Sequence, residues 1–456
     1  MKKKIFIYVP DGTGIRNYLY SSVFKDRDAH LTLLHHFNKD ITDLIQEHTE
    51  IDQALELPRF RESVLEKKQR EQSHISRLHY HSKLVNNPTI IGNYRPKQGS
   101  LKKRLFYKVV EHLAVRNSDY SSILKMEQQY ERQIKKNAFY KEVKKLLKQR
   151  RPDVVFLTHQ RAVQAAYVFA AARDLGIKTV TVIYSWDNLS KARLHLRADR
   201  YLVWSEHMKE EMALFYPEID TKKVIVTGTP QFEFYCDKDQ LVSREDFAQS
   251  NGLNPDKKWL CYSGDDVLTS PNDPVYLEHL AIELSKPIYN NAYQILFRRC
   301  PVDHSDRFKK VITMYPTIIK EVEPLWLTDE VWTSIFPQEA DSSLLANTVF
   351  HSEAVFNIGS TMAFDFLQYD KPCVYINYDI PTNLNWSVHT TYKYQHFRSM
   401  PSKKAVLWLD YQEDLEKVIR EIQEHQFSLK ETKKWFDTVV SYAYHSSDLI
   451  YNEIIS

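Results

Sequence analysis

A glycine and two hydroxyl side chains follow a short apolar run within residues 351–377. The run ends at Gly359, Ser360 and Thr361, and Asp365 lies one helical turn further along a helical pattern. Free N–H groups at the start of a helix favour an anion, and glycine lets a ligand approach the backbone closely. A carboxylate one turn later can accept hydrogen bonds from ribose hydroxyls. The pattern predicts a nucleotide site, and a simple helix cap is the alternative interpretation.

Two other apolar runs of the second half end in residues that suit the same ligand. Residues 293–297 lead into Arg298 and Arg299, whose guanidinium groups match phosphate oxygens. Residues 259–263 lead into Gly264 and two aspartates, a sequence that is also common in ordinary turns. Solvated surface arginines are the simpler alternative for the first loop. Together the loops predict an anion site at the ends of neighbouring strands.

Short apolar runs alternate with helical patterns along most of the chain. Runs of about five apolar residues joined by helices are typical of parallel sheets that are covered on both faces. A chain of 456 residues suits two domains. We therefore predict an α/β fold with two doubly wound, Rossmann-like domains facing a cleft. The predicted bounds are 1–235 for the first domain, 236–440 for the second and 441–456 for a C-terminal helix that crosses back to the first domain.

The composition is that of a globular protein without a membrane span. The chain is 43% hydrophobic and 27% charged, and its 4 cysteines are scattered without metal-ligand spacing. The longest apolar window, residues 163–172, is about half the length that spans a bilayer. The basic and apolar N-terminus is too short for a signal peptide. These features predict a cytoplasmic location with free thiols.

The segments that carry these features resemble GT-B-fold glycosyltransferases over residues 152–378. The likeness rests on "LFRRCP", on "ADSSLLANTVFHSEAVFNIGSTMAFDFLQYDKPCVYI" and on "SWDNLSKARLHLRADRYLVWSEHMKEEM…VIVTGTPQFEFY". Within that fold the chain is most similar to bacterial enzymes of surface-polysaccharide and capsule synthesis, near the CDP-glycerol glycerophosphotransferase and UDP-glycosyltransferase-like groups. The chain differs from these relatives at Cys300, where they often have histidine.

The resemblance implies a division of labour between the two domains. The second domain would bind a nucleotide-activated sugar, with Arg298, Ser360, Thr361 and Asp365 holding the diphosphate and ribose and Gly264 lining the site. The first domain would bind the acceptor, and the reaction would take place in the cleft. No cofactor is expected beyond the donor itself. No metal site is expected either, because no D-x-D pair ends a strand and arginines can neutralise a departing diphosphate.

Three loops of the first half supply candidates for the catalytic base. In a transfer with inversion, a base takes the proton of the acceptor hydroxyl as the new bond forms, and Asp, Glu or His can serve. Asp11, His159 and Asp187 each follow a predicted strand. Each could also be a turn residue or a residue at the start of a helix. We prefer Asp11, because its glycine-containing loop can shape an acceptor pocket.

Four neighbouring residues complete the predicted acceptor site. Gly12 and Arg16 lie in the loop of Asp11, and Trp186 and Asn188 flank Asp187. Trp186 could pack on a sugar face or be a buried core residue. The loop at residues 10–17 lacks the Lys-Ser/Thr pair of a P-loop, which argues against nucleotide hydrolysis.

A basic segment precedes the part of the chain that resembles glycosyltransferases. Residues 61–151 carry about 23 lysines and arginines against about 8 acids, roughly +15, whereas the whole chain is +3. Such a segment suits an anionic membrane surface, where lipid-linked acceptors lie, or is simply a solvated face. Nucleic acid is not expected, because no recognition motif is present. A peripheral position on the inner face of the cytoplasmic membrane follows from the first interpretation.

Four functions remain open at this point. The preferred one is transfer of a sugar to a polymeric or lipid-linked acceptor of the cell envelope. The alternatives are a CDP-glycerol-type polyol-phosphate transferase, a UDP-N-acetylglucosamine 2-epimerase-like enzyme, and a non-catalytic binding partner in a polysaccharide assembly complex. The sequence leaves open the donor base and sugar, the acceptor, the stereochemical outcome and the oligomeric state.

Overall fold

A computed structural model describes residues 2–95, 99–328, 335–381, 383 and 385–456. Residues 96–98 of the basic segment therefore lie outside the described residues. The chain divides into two compact units. The first unit contains Met1–Pro230, Tyr394–His396 and Val439–Ser456, and the second contains Gln231–Lys393 and Phe397–Thr438.

Seven short runs of the first unit form strands of one sheet. They are β1 (Lys3–Tyr8), β2 (Ala29–His35), β3 (Gln53–Glu56), β4 (Val154–Leu157), β5 (Lys178–Val182), β6 (Arg200–Val203) and β7 (Val224–Val226). The spatial order is β3-β2-β1-β4-β5-β6-β7, and neighbouring strands are parallel. These runs are largely apolar because strands covered on both faces need no polar alternation.

Helices connect these strands, and each of them except α6 begins at a side-chain cap. They are α1 (Lys39–His48), α2 (Val64–Leu84), α3 (Leu101–Arg116), α4 (Tyr120–Ile134), α5 (Ala138–Arg150), α6 (Val163–Arg173) and α7 (Glu206–Phe215). Ser63 and Glu66 form a reciprocal capping box at the start of α2, and Ser205 caps α7. After β1 the chain forms only a single short helical turn, Ile15–Leu19.

The basic segment forms helices α2 to α5, inserted between β3 and β4. Helix α3 packs one side against α2, where Val110 and Ala114 join Ile75 in a small apolar cluster. The set of apolar residues within 101–113 is therefore divided. Its other part, Leu101 and Leu105 with Val109, is exposed.

The second unit contains a six-stranded parallel sheet and a small antiparallel pair. In chain order the strands are β8 (Lys258–Ser263), β9 (Tyr293–Arg298), β10 (Ile319–Glu321), β11 (Trp326–Thr328), β12 (Ile335–Pro337), β13 (Ala354–Asn357), β14 (Cys373–Ile376) and β15 (Leu407–Leu409). The spatial order of the six-stranded sheet is β10-β9-β8-β13-β14-β15. Strands β11 and β12 form the antiparallel pair.

Helices surround this second sheet and continue to the C-terminus. They are α8 (Arg244–Asn251), α9 (Asp273–Leu284), α10 (Lys309–Met314), α11 (Ala340–His351), α12 (Met362–Leu367), α13 (Val388–Thr391), α14 (Leu415–Gln423), α15 (Lys430–Val439) and α16 (Ser446–Ile455). Helix α16 belongs to the first unit, where Lys178 donates a hydrogen bond to the carbonyl oxygen of Glu453 (2.7 Å).

The two parallel sheets with helices confirm the predicted α/β class with two doubly wound halves and helices at the C-terminal end. The charged stretch that precedes β8 is not an unstructured linker, because it contains helix α8. Its Ser243 cap supplies the start signal that the charged composition obscured. Within the described residues, no helix combines the length and apolarity that crossing a membrane requires.

Candidate active site

Three loops of the first unit meet at one edge of its sheet. Strands β1, β4 and β5 are adjacent and parallel, and Tyr8 lies beside Leu157, which lies beside Thr181. The residues that follow these strand ends therefore emerge together, as ligand-binding loops do in open α/β sheets. Asp11 follows β1 and His159 follows β4. This edge thus gathers the candidate bases of the first half.

Asp11 and His159 form a buried hydrogen-bonded pair. The Nδ1 atom of His159 lies 2.8 Å from Oδ2 of Asp11, and both residues are buried. Burial alone would raise the pKa of Asp11, but the charge and hydrogen bond of His159 outweigh it and lower that pKa. The ring of Tyr184 packs edge-on against the imidazole, 5.5 Å between centroids. A carboxylate acceptor fixes the proton on Nδ1, so Nε2 is the nitrogen that can take a proton.

Asp11 is less suited to act as a base than we expected. Its Oδ1 accepts a hydrogen bond from the backbone N–H of Thr13 (3.1 Å), while Oδ2 is held by His159. A carboxylate with two hydrogen bonds and a lowered pKa is a weak proton acceptor. The geometry therefore favours His159 over Asp11 for proton transfer, which corrects the preference derived from the loop sequence.

The carboxylate of Asp187 is already bonded to neighbouring side chains. It forms an ion pair with Lys191 and accepts a hydrogen bond from Nδ2 of Asn188 (2.7 Å). Burial opposes ionisation, but the charges of Lys191 and of His396 lower the pKa of Asp187. Because the carboxylate is held in its charged form, it is a poor base. A structural role fits Asp187 better than the catalytic role that we considered.

The predicted acceptor residues Trp186 and Asn188 are also occupied within the first unit. The Trp186 ring is buried, with its centroid 4.7 Å from that of His396. The amide oxygen of Asn188 accepts a hydrogen bond from Nε2 of Gln160 (2.9 Å). Neither side chain is open to a sugar, because folding has already given each a packing or hydrogen-bonding partner.

Gly12 and Arg16 shape the loop after β1. Gly12 begins a short buried turn that ends at Gly14, where an added Cβ would overlap the Thr158 side chain. Arg16 is partly exposed, and its Nε donates a hydrogen bond to Oδ1 of Asn17 (3.3 Å). Arg16 therefore remains available to a ligand, whereas Gly12 serves the fold of the loop.

The second unit brings its three predicted loops together in the same way. Strand β8 lies between β9 and β13, so Gly264, the end of β9 and Gly359 follow neighbouring strand ends. The backbone N–H of Gly264 donates to the carbonyl oxygen of Arg298 (2.9 Å). Gly359 has a φ of +67°, and an added Cβ would lie 2.7 Å from Cζ of Phe397. Both its conformation and its surroundings therefore require glycine.

Ser360 and Thr361 stay partly exposed beyond Gly359. The backbone N–H of Ser360 donates to Oδ1 of Asn357 (2.9 Å), and the hydroxyl of Ser360 accepts a bond from the N–H of Met362 (3.4 Å). Helix α12 begins at Met362 and is only 6 residues long. The two hydroxyl side chains can reach a ligand, while the helix itself contributes a weaker dipole than the sequence suggested.

Arg298 and Asp365 are buried, in contrast to the prediction that both face a ligand. Nη2 of Arg298 contacts both carboxylate oxygens of Asp341 (2.8 and 2.9 Å). Its Nη1 is buried and has no hydrogen-bond partner among the described residues. Oδ1 of Asp365 accepts a hydrogen bond from the hydroxyl of Tyr235 (2.9 Å). The expected ribose contact of Asp365 is therefore replaced by a contact within the unit.

Sequence reasoning noted the aspartates after Gly264 but missed that Asp265 is paired with Asp273. Oδ2 of Asp273 accepts a hydrogen bond from the backbone N–H of Asp265 (2.7 Å). Burial, followed by the charge of Asp273, raises the pKa of Asp265, and burial also raises that of Asp273. No linear motif reveals the pair, because Asp273 lies at the start of helix α9. The pair places hydrogen-bonding carboxyl groups beside the predicted donor loops.

Comparisons with known proteins agree with this architecture. Residues 97–230 match the family model of monogalactosyldiacylglycerol (MGDG) synthase. The matched part lies within the first unit and amounts to less than half of the chain. No curated protein matches the sequence.

Solved structures match the whole chain at low sequence identity. A glycosyltransferase from Rickettsia africae is 12% identical with a TM-score of 0.53, over 100% of this chain and 99% of that one. The S. aureus MnaA structure with UDP is 11% identical with a TM-score of 0.52, over 100% and 96%. The UDP-GlcNAc 2-epimerase of Methanocaldococcus jannaschii is 11% identical with a TM-score of 0.51, over 100% of both chains.

At such identities the structural matches concern the fold. That fold is shared with a glycosyltransferase and with UDP-GlcNAc 2-epimerases. The family match supports a transferase enzyme. The chain therefore has the GT-B fold, and its predicted resemblance to GT-B glycosyltransferases is confirmed.

Proposed function

We propose that this protein transfers a sugar from a nucleotide-activated donor to a hydroxyl group of a lipid-linked or polymeric acceptor of the cell envelope. The observation that carries the proposal is the Asp11–His159 pair at the carboxyl edge of the first sheet. A buried carboxylate that orients an imidazole is an arrangement suited to general base catalysis. The fold and the matching family model agree with a glycosyltransferase.

His159 would act as the base through Nε2. As the acceptor oxygen forms its bond to C1 of the sugar, its proton moves to Nε2, and the bond from C1 to the donor phosphate breaks. The nucleoside diphosphate leaves with that electron pair. Asp11 would stabilise the imidazolium and keep the ring oriented. A direct displacement of this kind inverts the configuration at C1.

The donor would bind at the loops of the second unit. Ser360 and Thr361 offer hydroxyl groups beside Gly359, whose bare backbone allows a close approach. The buried Nη1 of Arg298 offers a further donor that nothing in the described residues uses. Arginine and backbone N–H groups can balance the charge of a diphosphate without a metal ion. We propose no cofactor beyond the donor.

The acceptor side would lie against an anionic membrane through helix α3. Leu101, Leu105 and Val109 recur every four residues on one face and are 81%, 64% and 48% exposed. Exposed Lys102, Lys103, Arg104 and Lys108 surround this row. An apolar row edged by basic residues matches the boundary between acyl chains and anionic headgroups. The name of the matching family, which refers to a galactosyl diacylglycerol, favours a lipid acceptor.

An assay of nucleoside diphosphate release tests the proposal. The protein would be incubated with UDP-, GDP- and CDP-linked donors and with vesicles that contain bacterial envelope lipids. We expect one donor to release its nucleotide only when the vesicles are present, with a product lipid that carries the sugar. Release from CDP-glycerol alone would indicate polyol-phosphate transfer instead. Binding without any release would favour a non-catalytic partner.

A second candidate function is 2-epimerisation of UDP-N-acetylglucosamine. It is favoured by the structural likeness to several UDP-GlcNAc 2-epimerases over nearly the whole chain. An epimerase needs no acceptor and no membrane surface, so the exposed row of α3 has no role in it. Conversion of UDP-GlcNAc to its 2-epimer without an acceptor would identify this activity.

A further inference from the structure

Four buried side-chain atoms of the second unit have no hydrogen-bond partner among the described residues. They are Oδ2 of Asp265, Nδ2 of Asn272, Nη1 of Arg298 and Oγ1 of Thr391. Arg298 is the last residue of β9, and the other three lie in the connections that follow β8 and β14. A buried polar atom without a partner destabilises a fold, so each one needs a physical reason. Their restriction to the loops after strands suggests a ligand as that reason.

Contacts between these connections bring them to one region of the unit. Nε1 of Trp386 donates a hydrogen bond to the carbonyl oxygen of Thr269 in the connection after β8 (3.1 Å). The connection that contains Trp386 continues into helix α13, which ends at Thr391. Cγ2 of Thr391 lies 3.5 Å from the position that a Cβ on Gly359 would occupy. The connections after β8 and β14 therefore adjoin the loop after β13, where we propose that the donor binds.

The hydroxyl of Thr391 is enclosed, and the residue is only 3% exposed. Its neighbour Tyr392 donates a hydrogen bond from its hydroxyl to the carbonyl oxygen of Ile376 at the end of β14 (2.6 Å), which fixes this turn. A threonine hydroxyl in a helix can bond back to a carbonyl oxygen of the preceding turn, but Oγ1 of Thr391 forms no such bond. The hydroxyl is therefore held in place with its hydrogen-bonding capacity unused.

The carboxyl group of Asp265 differs in the same respect from that of its partner Asp273. Asp273 accepts hydrogen bonds from the hydroxyls of Tyr262 (3.0 Å) and Ser270 (2.6 Å) and from the N–H of Asp265 (2.7 Å). Oδ2 of Asp265 is buried and accepts none. Burial, followed by the charge of Asp273, raises the pKa of Asp265. An uncharged carboxyl group can both donate and accept hydrogen bonds, and it does not repel a nearby diphosphate.

These atoms together fit a ligand that carries both phosphate and hydroxyl groups. Nη1 of Arg298 can only donate, which suits a phosphate oxygen. The hydroxyl of Thr391 and the carboxyl group of Asp265 can donate and accept, which suits a hydroxyl group. Nδ2 of Asn272 carries no part of the inference, because Asn272 also interacts with the hydroxyl of Tyr276. A nucleotide-activated sugar combines the required groups.

We propose that Thr391 and Asp265 bind hydroxyl groups of the donor, either those of its ribose or those of the sugar that is transferred. The inference rests on the proposed function, because it concerns the donor of that reaction. It assigns to Asp265 the contact that the sequence predicts for Asp365, whose Oδ1 accepts a hydrogen bond from Tyr235 (2.9 Å). Because the two groups have no partner in the folded chain, their hydrogen bonds contribute to donor binding and not to folding.

Two variants separate binding from folding. Thr391→Val removes the hydroxyl and keeps the branched shape, and Asp265→Ala removes the carboxyl group. The matched controls are Thr390→Val and Asp256→Ala, at exposed residues of the same unit. Calorimetric titration measures the affinity for UDP, GDP and CDP and for UDP-N-acetylglucosamine, GDP-mannose and CDP-glucose. Urea unfolding without nucleotide measures the stability of each variant.

We expect the wild type and both controls to bind one of these nucleotides equally well. Thr391→Val and Asp265→Ala should each weaken that binding by about tenfold or more, with a free energy of unfolding equal to or higher than that of the wild type. Weaker binding of the nucleoside diphosphate would assign the contact to the ribose. Weaker binding of the sugar conjugate alone would assign it to the transferred sugar. Unchanged affinity, or no nucleotide binding by the wild type, would overturn the proposal.

An internal water is the alternative partner for each atom. In that case the two variants would lose stability and keep their affinity, which would overturn the proposal, as would a variant that fails to fold. Thr391→Ser retains the hydroxyl and should bind the nucleotide as the wild type does. Asp365→Ala should lower stability, because the bond from Tyr235 is lost. A larger loss of affinity in Asp365→Ala than in Asp265→Ala would restore the interpretation from the sequence and overturn ours.

Failure of the proposed function has a different signature. Nucleotide binding would then depend on Thr391 and Asp265, whereas no sugar would reach an acceptor in the vesicle assay. The inference would stand in that case, because it concerns the binding of the nucleotide and not its transfer. Transfer of sugar with nucleotide binding that is independent of both residues would show the reverse.

Discussion

The imidazole of His159 is anchored to the carboxylate of Asp11, 2.8 Å away and 148 positions earlier in the chain. The contact exists because β1 and β4 are parallel neighbours and both loops leave the sheet at the same edge. Because they share this edge, two residues from separate loops form a pair in which the carboxylate fixes the tautomer of the imidazole. The mechanism proposed above depends on this pair.

Replacing either member of the pair should therefore reduce the rate of transfer. We expect His159→Ala to lower the rate by about 10²- to 10⁴-fold, because the proton acceptor is lost. Asp11→Asn should also lower it strongly, since the amide can hold the ring in the wrong tautomer. The measurement is the initial rate of nucleoside diphosphate release at saturating donor. Asp187→Asn is the informative comparison, and a larger loss there than in His159→Ala would contradict our choice of base.

A side chain at Gly359 should destabilise the protein through both its positive φ and its contact with Phe397, and a second glycine allows the two costs to be separated. Gly359→Ala introduces a Cβ at a φ of +67° and only 2.7 Å from Phe397, whereas Gly252 has a φ of +64° and no atom within 4 Å. Gly252→Ala should cost about 1 kcal/mol for the backbone alone. Gly359→Ala should cost a further ~1–3 kcal/mol for overpacking. Urea unfolding of the two variants measures the difference, and equal losses would show that Phe397 moves aside freely.

Buried Glu211 should make the protein less stable as the pH rises. Burial, followed by the charge of Asp187, raises the pKa of Glu211 to about 8, although a hydrogen bond with Gln395 opposes the shift. The folded protein then holds a proton that the unfolded chain releases near its ordinary pKa. The free energy of unfolding should fall between about pH 5 and pH 8, by up to ~1.4 kcal/mol per pH unit.

Glu211→Gln should remove this dependence. Its stability relative to the wild type should increase steadily from about pH 5 to about pH 8 in urea unfolding. Glu210 lies one residue earlier and is exposed. Glu210→Gln therefore makes the same charge change without replacing a buried carboxyl group. A parallel gain in Glu210→Gln would mean that general charge repulsion, rather than burial of Glu211, causes the effect.

Helix α3 should bind anionic vesicles through its exposed row and its basic rim. Replacing Lys103, Arg104 and Lys108 with glutamine should weaken binding by about 3 kcal/mol, or ~100-fold, at low salt. The control is a second triple variant with the same change in charge on α5, in which Lys141, Lys145 and Lys148 are replaced with glutamine. Flotation with anionic and with neutral vesicles measures the membrane binding of the two triple variants. Equal loss in the two triple variants would attribute binding to net charge and not to α3.

The pattern of the sequence was sufficient to predict the inner strands of both sheets, because each of them is a local apolar run, but it did not predict the outer strands β2, β3, β10 and β15. A short apolar run between helical patterns identifies β4 or β13 without knowledge of its neighbours. The order of loops after strands also predicted which polar residues share an edge. In a parallel sheet all strands end at the same edge, so the residues that follow the strands could be named as candidates from the sequence.

The partners of individual side chains could not be predicted in the same way. Asp365 has the sequence position of a ligand-binding acid, yet its carboxylate is used by Tyr235, 130 positions away. Arg298 is buried against Asp341, which lies 43 positions further on. Such relationships depend on long-range packing, which has no local signature.

The most direct test of the central claim is the release of nucleoside diphosphate by the wild type and by His159→Ala, with and without an acceptor lipid. We predict that the wild type releases one nucleotide only when acceptor is present, with a matching amount of glycosylated lipid. The His159→Ala variant should bind the same nucleotide with unchanged affinity. Its rate of nucleotide release should be lower than that of the wild type by about 10²-fold or more. Release that is unaffected by His159→Ala, or conversion of the donor to another sugar without release, would contradict the account.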